Sequence, residues 1–398
     1  MPIAKSINEA VSTQSMVRKM FEEGIFLKKQ YGAENVFDFS IGNPDLEPPP
    51  AFHRVLSKLA GESKKGTHGY MTNAGLPEVR EAIARKAGAE HGVKIDASHV
   101  VMSCGAAGGL NVVLKTILNP EDEIIVSKPF FMEYRPYVAN HGGRLVEVDS
   151  LPDFNLDVEA IKAKLSPKTA AVLINSPHNP TGRIFPAETI KSLAKALLEH
   201  GKTCGRLPYL IADEPYRDLV YDGAVVPPVL CNYPESIVVS SYSKSLSLPG
   251  ERIGYIAFSP DAEDKQKLFG ALSYTTRILG YVNAPALMQR IVAELTEAKV
   301  NVDVYARRRT AFTDILDSVG IEYTKPEGAF YLFCKAPAGK SASGENDLAF
   351  VEHLKNHLIL GVPGTGFSKP GWLRFAYCVD ESIIKASGTA FKKAMEIW

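Results

Sequence analysis

Five short apolar runs, nearly continuous and rich in Val and Ile, constrain this chain more than any other feature. Val100-Val101-Met102, Glu123-Ile124-Ile125-Val126, Ala170-Ala171-Val172-Leu173-Ile174, Tyr209-Leu210-Ile211-Ala212 and Ser236-Ile237-Val238-Val239 lack the apolar–polar alternation of a half-exposed strand. They predict strands buried on both faces. Between them lie amphipathic stretches with helical spacing and the length of crossover connections: Leu110 to Leu118, Val158 to Leu165 and Glu188 to His200. This alternation predicts an α/β architecture, a large, mostly parallel sheet with helices on both faces. No period of roughly 20 to 50 residues recurs, so solenoids and propellers are excluded.

At 398 residues the chain exceeds one ordinary folding unit, and its texture changes near residue 290. There a charged stretch, Ala286 to Val319, predicts one long helix, followed by an aromatic strand Ala329-Phe330-Tyr331-Leu332-Phe333 and a Gly/Pro-rich loop from Gly361 to Gly371. This reads as a smaller α+β domain. The segment Asn35 to Pro50 ends in Glu47-Pro48-Pro49-Pro50 and predicts a stiff extended link. The expected division is 1–47 as an N-terminal arm and part of the small domain, 48–290 as the large domain and 291–398 as the rest of the small one.

Charge narrows the partners. Lys and Arg total 45 against 45 Asp and Glu, so no net field draws the chain to nucleic acid or an anionic membrane, and a small-molecule partner is expected. Five scattered cysteines without a Cys-x-x-Cys spacing argue against a disulfide framework or a zinc knuckle. The first residues lack a leader-like apolar run and no stretch approaches a membrane span, which predicts a cytoplasmic protein. His353 and His357 have i, i+4 spacing, but with no Glu between them and no third ligand nearby they read as a surface helix face. No metal is expected.

Polar groups gather after three of the buried runs. Asn175-Ser176-Pro177-His178-Asn179-Pro180-Thr181-Gly182, Asp213-Glu214-Pro215-Tyr216 and Ser240-Ser241-Tyr242-Ser243-Lys244-Ser245, with Arg252 eight residues after Lys244, each sit at a predicted strand's carboxyl end. Open α/β sheets bind ligands there. Each has an ordinary reading alone: a turn, a capped helix start, a solvated Ser/Lys loop. Taken together, in this order and with these separations, they resemble the class I/II aminotransferases, pyridoxal-phosphate enzymes of fold-type I, from about Asn35 to the C-terminus.

The resemblance implies a seven-stranded-type sheet domain that binds pyridoxal 5'-phosphate, and a role for each matching residue. Lys244 matches the lysine that binds the cofactor covalently and then acts as acid and base, and Asp213 the carboxylate that keeps the ring nitrogen protonated. Tyr216 and Asn179 match the partners of the ring's phenolic oxygen. For the phosphate, Ser103-Cys104-Gly105-Ala106-Ala107-Gly108-Gly109 joins a strand to a helix, where free N–H groups form an anion site; tight helix-on-sheet packing explains the small residues equally well. Gly105, Ala106, Ala107, Ser241, Ser243 and Arg252 are the expected cradle. Family members often carry Ser or Thr where Ala107 stands, so one hydroxyl contact is missing. Phe131 matches the aromatic that stacks on the ring, with a plain core phenylalanine as the alternative.

Arg374, between apolar residues in Trp372-Leu373-Arg374-Phe375, requires a carboxylate partner if buried; by resemblance it grips the substrate α-carboxylate. Gly42 matches the loop over the substrate, and Tyr70 the tyrosine that reaches the neighbouring subunit's phosphate, which implies a homodimer with shared sites. Arg277 lies near the position of an arginine that reads a distal carboxylate across that interface; a surface arginine is the competing reading. The resemblance thus implies transfer of an amino group from an L-amino acid, with aspartate the first candidate, to a 2-oxo acid such as 2-oxoglutarate. A lyase or decarboxylase of the same fold remains an alternative. A ligand-sensing domain of a transcription regulator is a further one, although only about 35 residues precede the first motif, fewer than a helix-turn-helix module needs.

Overall fold

The structure, a computed structural model, describes residues 3–12, 16–62, 65–339 and 346–398. Its main feature is a seven-stranded sheet in the spatial order Val100–Ser103, Gly254–Phe258, Ser236–Ser241, Tyr209–Asp213, Thr169–Asn175, Glu123–Lys128, Arg144–Asp149. Five of these run parallel in sequence-connected neighbourhoods, while Gly254–Phe258 lies antiparallel between Val100–Ser103 and Ser236–Ser241. All seven residues of Thr169–Asn175 are buried, as expected of a strand covered on both sides.

Side chains of these strands alternate between two separate cores. Val172, Ile174, Leu210, Ala212 and Val238 pack on one face with the helices Pro77–His91 and Ala187–Cys204. Leu173, Ile211, Ile237 and Val239 pack on the other with Gly105–Ile117 and Lys265–Ile278. The period-two geometry of a strand divides one apolar run between two faces, which is why the sequence shows no polar gaps. Close helix–sheet contact explains Gly109, since a Cβ there would lie 2.7 Å from a methyl of Val239.

A third core joins residues distant in sequence. The antiparallel strands Val362–Pro363, Trp372–Ala376, Tyr331–Lys335 and Tyr323–Thr324 pack with the helices Val302–Ser318, Asp347–Asn356 and Glu381–Ile397. Met20, Val36 and Phe39 are buried in the same core. Phe37 and Asp38 pair in parallel with Ile359 and Leu360. The stretch from Asn35 is therefore not only an extended link: its first part is a paired strand, and only then does the chain run to the helix Pro50–Gly61.

Two further expectations are corrected. The stretch from Ala286 to Val319 forms two helices, Ala286–Ala293 and Val302–Ser318, instead of one. Between them Leu295 and Val300 are buried, Val300 N–H donates to the Ser245 carbonyl at 2.8 Å, and Asn301 caps the second helix by accepting from Asp303 N–H. Tertiary docking and a side-chain cap override helical spacing here. The aromatic strand begins at Tyr331, not Ala329, because Ala329 has φ 58° and its N–H donates to the Leu219 carbonyl.

Candidate active site

Strand ends place the polar clusters side by side. Asn175 and Asp213 are register partners at the carboxyl ends of adjacent parallel strands, and Asp213 is in turn opposite Val239, two residues before Ser241. The chain then forms the short helix Tyr242–Ser245, which carries Lys244. These ends open on one cavity of about 810 Å³. It is lined by Gly42, Ala106, Ala107, Phe131, Asn179, Asp213, Tyr216, Ser241, Ser243, Lys244, Arg252 and Arg374. Twelve residues singled out from the sequence thus meet around a single space.

Lys244 Nζ donates to the Gly42 carbonyl at 2.7 Å and lies 5.3 Å from the centre of the Phe330 ring. Burial, with the positive charges of Arg374 and Arg252 adding to it against an opposing pull from Cys378, lowers its pKa to about 8. An amine so tuned has a much larger neutral, nucleophilic fraction near neutrality than an ordinary lysine, although most of it stays protonated there. Position 42 requires glycine here, since a Cβ there would collide with the Tyr331 hydroxyl.

Asp213 is 5% exposed. Its Oδ2 accepts from the Tyr134 hydroxyl at 2.6 Å, and Asn175 Nδ2 donates to its main-chain carbonyl at 2.7 Å. Oδ1 is buried with no hydrogen-bond partner. Burial raises the pKa to about 7, the Tyr134 bond opposing the rise and the Glu214 charge adding to it. A buried carboxylate oxygen left bare beside a cavity is costly unless a donor arrives, and a cationic ring N–H supplies one.

Arg374 is 3% exposed, and the hydrogen-bond partners of its guanidinium are neutral groups. Nη1 donates to Asn179 Oδ1 at 2.9 Å and Nη2 to the Ser40 carbonyl at 2.8 Å, while Nε has no partner. The guanidinium carbon lies 4.5 Å from the Tyr331 ring centre and 4.8 Å from that of Phe367. A buried cation without a carboxylate suits an anionic ligand. Tyr216, whose hydroxyl is 2.8 Å from that of Tyr331, is held far into its neutral form by burial.

At the opposite end the helix Gly105–Ile117 starts against Arg252. Gly105 has φ +72°, and a Cβ there would stand 2.7 Å from the Arg252 guanidinium, so only glycine admits this approach. Arg252 also donates to the Pro249 carbonyl at 2.8 Å. Helix N–H groups, the hydroxyls of Ser241 and Ser243 and this guanidinium form a cradle suited to a phosphate. The orphaned Asp213 oxygen, the low-pKa Lys244 and this cradle together fit pyridoxal phosphate.

Two residues singled out from the sequence stand apart. Tyr70 is 94% exposed, and Arg277 is exposed in the last turn of Lys265–Ile278, its guanidinium 5.1 Å from the Tyr274 ring centre. Neither lines the cavity of its own chain. Conversely, sequence reasoning gave no role to Asn175 and Tyr331, both within quoted segments, or to Tyr134, three residues after Phe131. An N-terminal helical piece was expected ahead of the Asn35–Pro50 link, but no site role was given to the helix Met16–Tyr31, whose Arg18, Phe21, Glu22 and Ile25 line the cavity. Their i, i+3, i+4, i+7 spacing was the available signal. Arg18 Nε pairs with Glu22 at 3.1 Å.

Comparison with known proteins gives the family. The family model for aminotransferase class I and II matches residues 34–386. Over 360 residues, 89% of this chain and 90% of the relative, the sequence is 31% identical to a probable aspartate/prephenate aminotransferase of Thermus aquaticus. An aminotransferase structure from Eubacterium rectale aligns at TM-score 0.95 with 38% identity, covering 100% of this chain and 99% of that one. The aspartate aminotransferase of Thermus thermophilus with maleate aligns at TM-score 0.86 with 25% identity, covering 99% and 100%.

Proposed function

This chain belongs to the class I and II aminotransferase family and is a transaminase, and from that premise we propose how its residues divide the work. Pyridoxal phosphate, when bound, supplies an electron sink for the pair left behind as a proton leaves the substrate Cα. Lys244 would anchor it covalently, and Lys244 Nζ would be the base that takes the substrate Cα proton and gives it up again. Asp213 holds the ring nitrogen protonated through Oδ1. Tyr216 and Asn179 would meet the phenolic oxygen, Phe131 would pack on the ring, and Ala106, Ala107, Ser241, Ser243 and Arg252 would take the phosphate.

Arg374 binds the α-carboxylate common to amino and 2-oxo acids, with Asn179 fixing one arm of its fork. Gly42 brings the covering loop down to Lys244. The observation that carries this reading is the pairing, across one cavity, of a bare buried Asp213 oxygen with a buried Arg374 that has no carboxylate. Aspartate is the proposed donor, supported by relatives named aspartate or aspartate/prephenate aminotransferase, and 2-oxoglutarate is the proposed acceptor. Arg277 and Tyr70, exposed and outside their own cavity, are proposed to serve the neighbour's site in a cytoplasmic homodimer. The lyase, decarboxylase and sensor alternatives are not favoured by the activities of these relatives.

The test is chemical. Borohydride reduction of the cofactor-loaded protein, followed by peptide mapping, should place the pyridoxyl group on Lys244. Its recovery on a different lysine would overturn the assignment.

A further inference from the structure

We propose that Tyr134 is a positioning residue that occupies Asp213 Oδ2 and thereby leaves Oδ1 as the single oxygen offered to the cofactor's ring nitrogen. This rests on the reading of Asp213 given above. A free carboxylate presents two equivalent oxygens and turns about its Cβ–Cγ bond, so a flat ring facing it would have no unique alignment. Here the equivalence is broken. The Tyr134 hydroxyl donates to Oδ2 at 2.6 Å, a short charge-assisted length, while Oδ1 has no protein partner. Asn175 Nδ2 fixes the Asp213 main-chain carbonyl and lies 3.5 Å from Oδ2, too far to replace the phenol.

The Tyr134 ring is itself held. It is 2% exposed, runs nearly parallel to Phe130 at 6.5 Å and meets Phe131 edge-on at 5.5 Å. Phe131 is the aromatic proposed to pack on the cofactor. One phenol therefore references both the ring's in-plane partner and its face, and both come from the segment that ends the strand Glu123–Lys128. Four titratable groups surround the Asp213 carboxylate: Tyr134 and Tyr137 from the helix Tyr134–Ala139, and Glu214 and Tyr216 from its own strand's exit. Of these four, Tyr134 donates to it, and Glu214 opposes its ionisation.

Two measurements test this, using Tyr134→Phe, which keeps the ring. In the cofactor-free protein, Asp213 has a pKa raised above its unfolded value, so its contribution to stability is present at low pH and is lost as pH rises through about 7. Without the phenol the pKa rises further. Tyr134→Phe should therefore lower the melting temperature more at pH 9 than at pH 5, and that difference should vanish in the Asp213→Asn background. A merely packed tyrosine gives a loss equal at both pH values, which would overturn the proposal.

In the loaded enzyme, pyridoxal phosphate labelled with ¹⁵N in the ring reports protonation through its chemical shift. Tyr134→Phe should move that resonance toward the neutral pyridine or broaden it, and raise the cofactor dissociation constant about tenfold. An unchanged resonance with wild-type affinity would also overturn the proposal. Since the first measurement needs no cofactor, its failure is distinct from a failure to find the label on Lys244.

Discussion

The two walls of the cavity are built by opposite means. On the side proposed to hold the cofactor Asn175, Asp213, Ser241 and Ser243 are 4%, 5%, 5% and 8% exposed, fixed at strand ends and on the short helix that follows one of them. At the entrance the helix Met16–Tyr31 presents Phe21 and Ile25 at 43% and 55% exposed and an Arg18–Glu22 pair largely in solvent. The first wall is preorganised because the sheet has already met the entropic cost of ordering it. The second keeps apolar surface unpartnered, and burying it against a substrate side chain is a gain reserved for binding. Chemistry should reside in the first wall and selection in the second.

The largest effect that separates them is at Asp213. Asp213→Asn keeps the shape and removes the charge, so turnover should fall by about 10²- to 10³-fold while cofactor affinity falls far less. The same change should stabilise the cofactor-free protein on the alkaline side. Ionising a buried carboxyl whose pKa is about 7 costs folding stability above that pH, on the order of 2–4 kcal/mol relative to an unfolded carboxyl, and none of that cost remains in the amide. Melting curves at pH 6 and pH 9 read it directly. If turnover were retained, or if the alkaline gain were missing, the cofactor wall would not be working through charge.

Arg374 lies where the two walls meet, on a strand of the third core yet bonded to Asn179 of the sheet domain. Truncation to Ala should cost about 2–5 kcal/mol in kcat/KM. The loss should be equal for aspartate, alanine and phenylalanine, because every donor has the same α-carboxylate. Unequal losses in a donor panel would move Arg374 from the shared anchor to the selecting wall.

How much of this was legible in the sequence follows the same division. Val172, Ile174, Leu210 and Val238 announced a doubly covered sheet because a buried parallel strand has no polar alternation to hide it. Arg374 was legible because a charged group between apolar neighbours demands an explanation, and Lys244 and Asp213 because polar clusters at the ends of buried runs follow one another in the order and spacing of a known family. Tyr134 and Tyr331 were not, since a tyrosine in an aromatic run reads as core until its hydroxyl is seen to point at Asp213 or Tyr216. Arg18, Phe21 and Ile25 were missed for a different reason: only the tertiary fold brings a segment more than 200 residues from Lys244 to the same cavity. The break after Ala293 was lost because docking of Val300 on the Ser245 carbonyl is a long-range event.

The smallest and most selective effect is expected at Arg277. It is exposed, stacked beside Tyr274 and absent from its own cavity, so a change there leaves the cofactor wall of that chain untouched. If it reaches the second carboxylate of a substrate held by the neighbour, Arg277→Ala should lower kcat/KM for aspartate by about 10- to 100-fold, the worth of one charge-assisted pair, and leave alanine nearly unchanged. Hybrids sharpen the point. In a dimer of one Lys244→Ala chain and one Arg277→Ala chain, one site holds an intact lysine from its own chain and an intact arginine from its neighbour, while the other lacks both. Such hybrids should regain dicarboxylate turnover that neither parent has. Equal losses for aspartate and alanine, or no recovery in verified hybrids, would make Arg277 a surface residue and return the choice of donor to the entrance helix, where Phe21 and Ile25 favour a bulkier apolar side chain over aspartate.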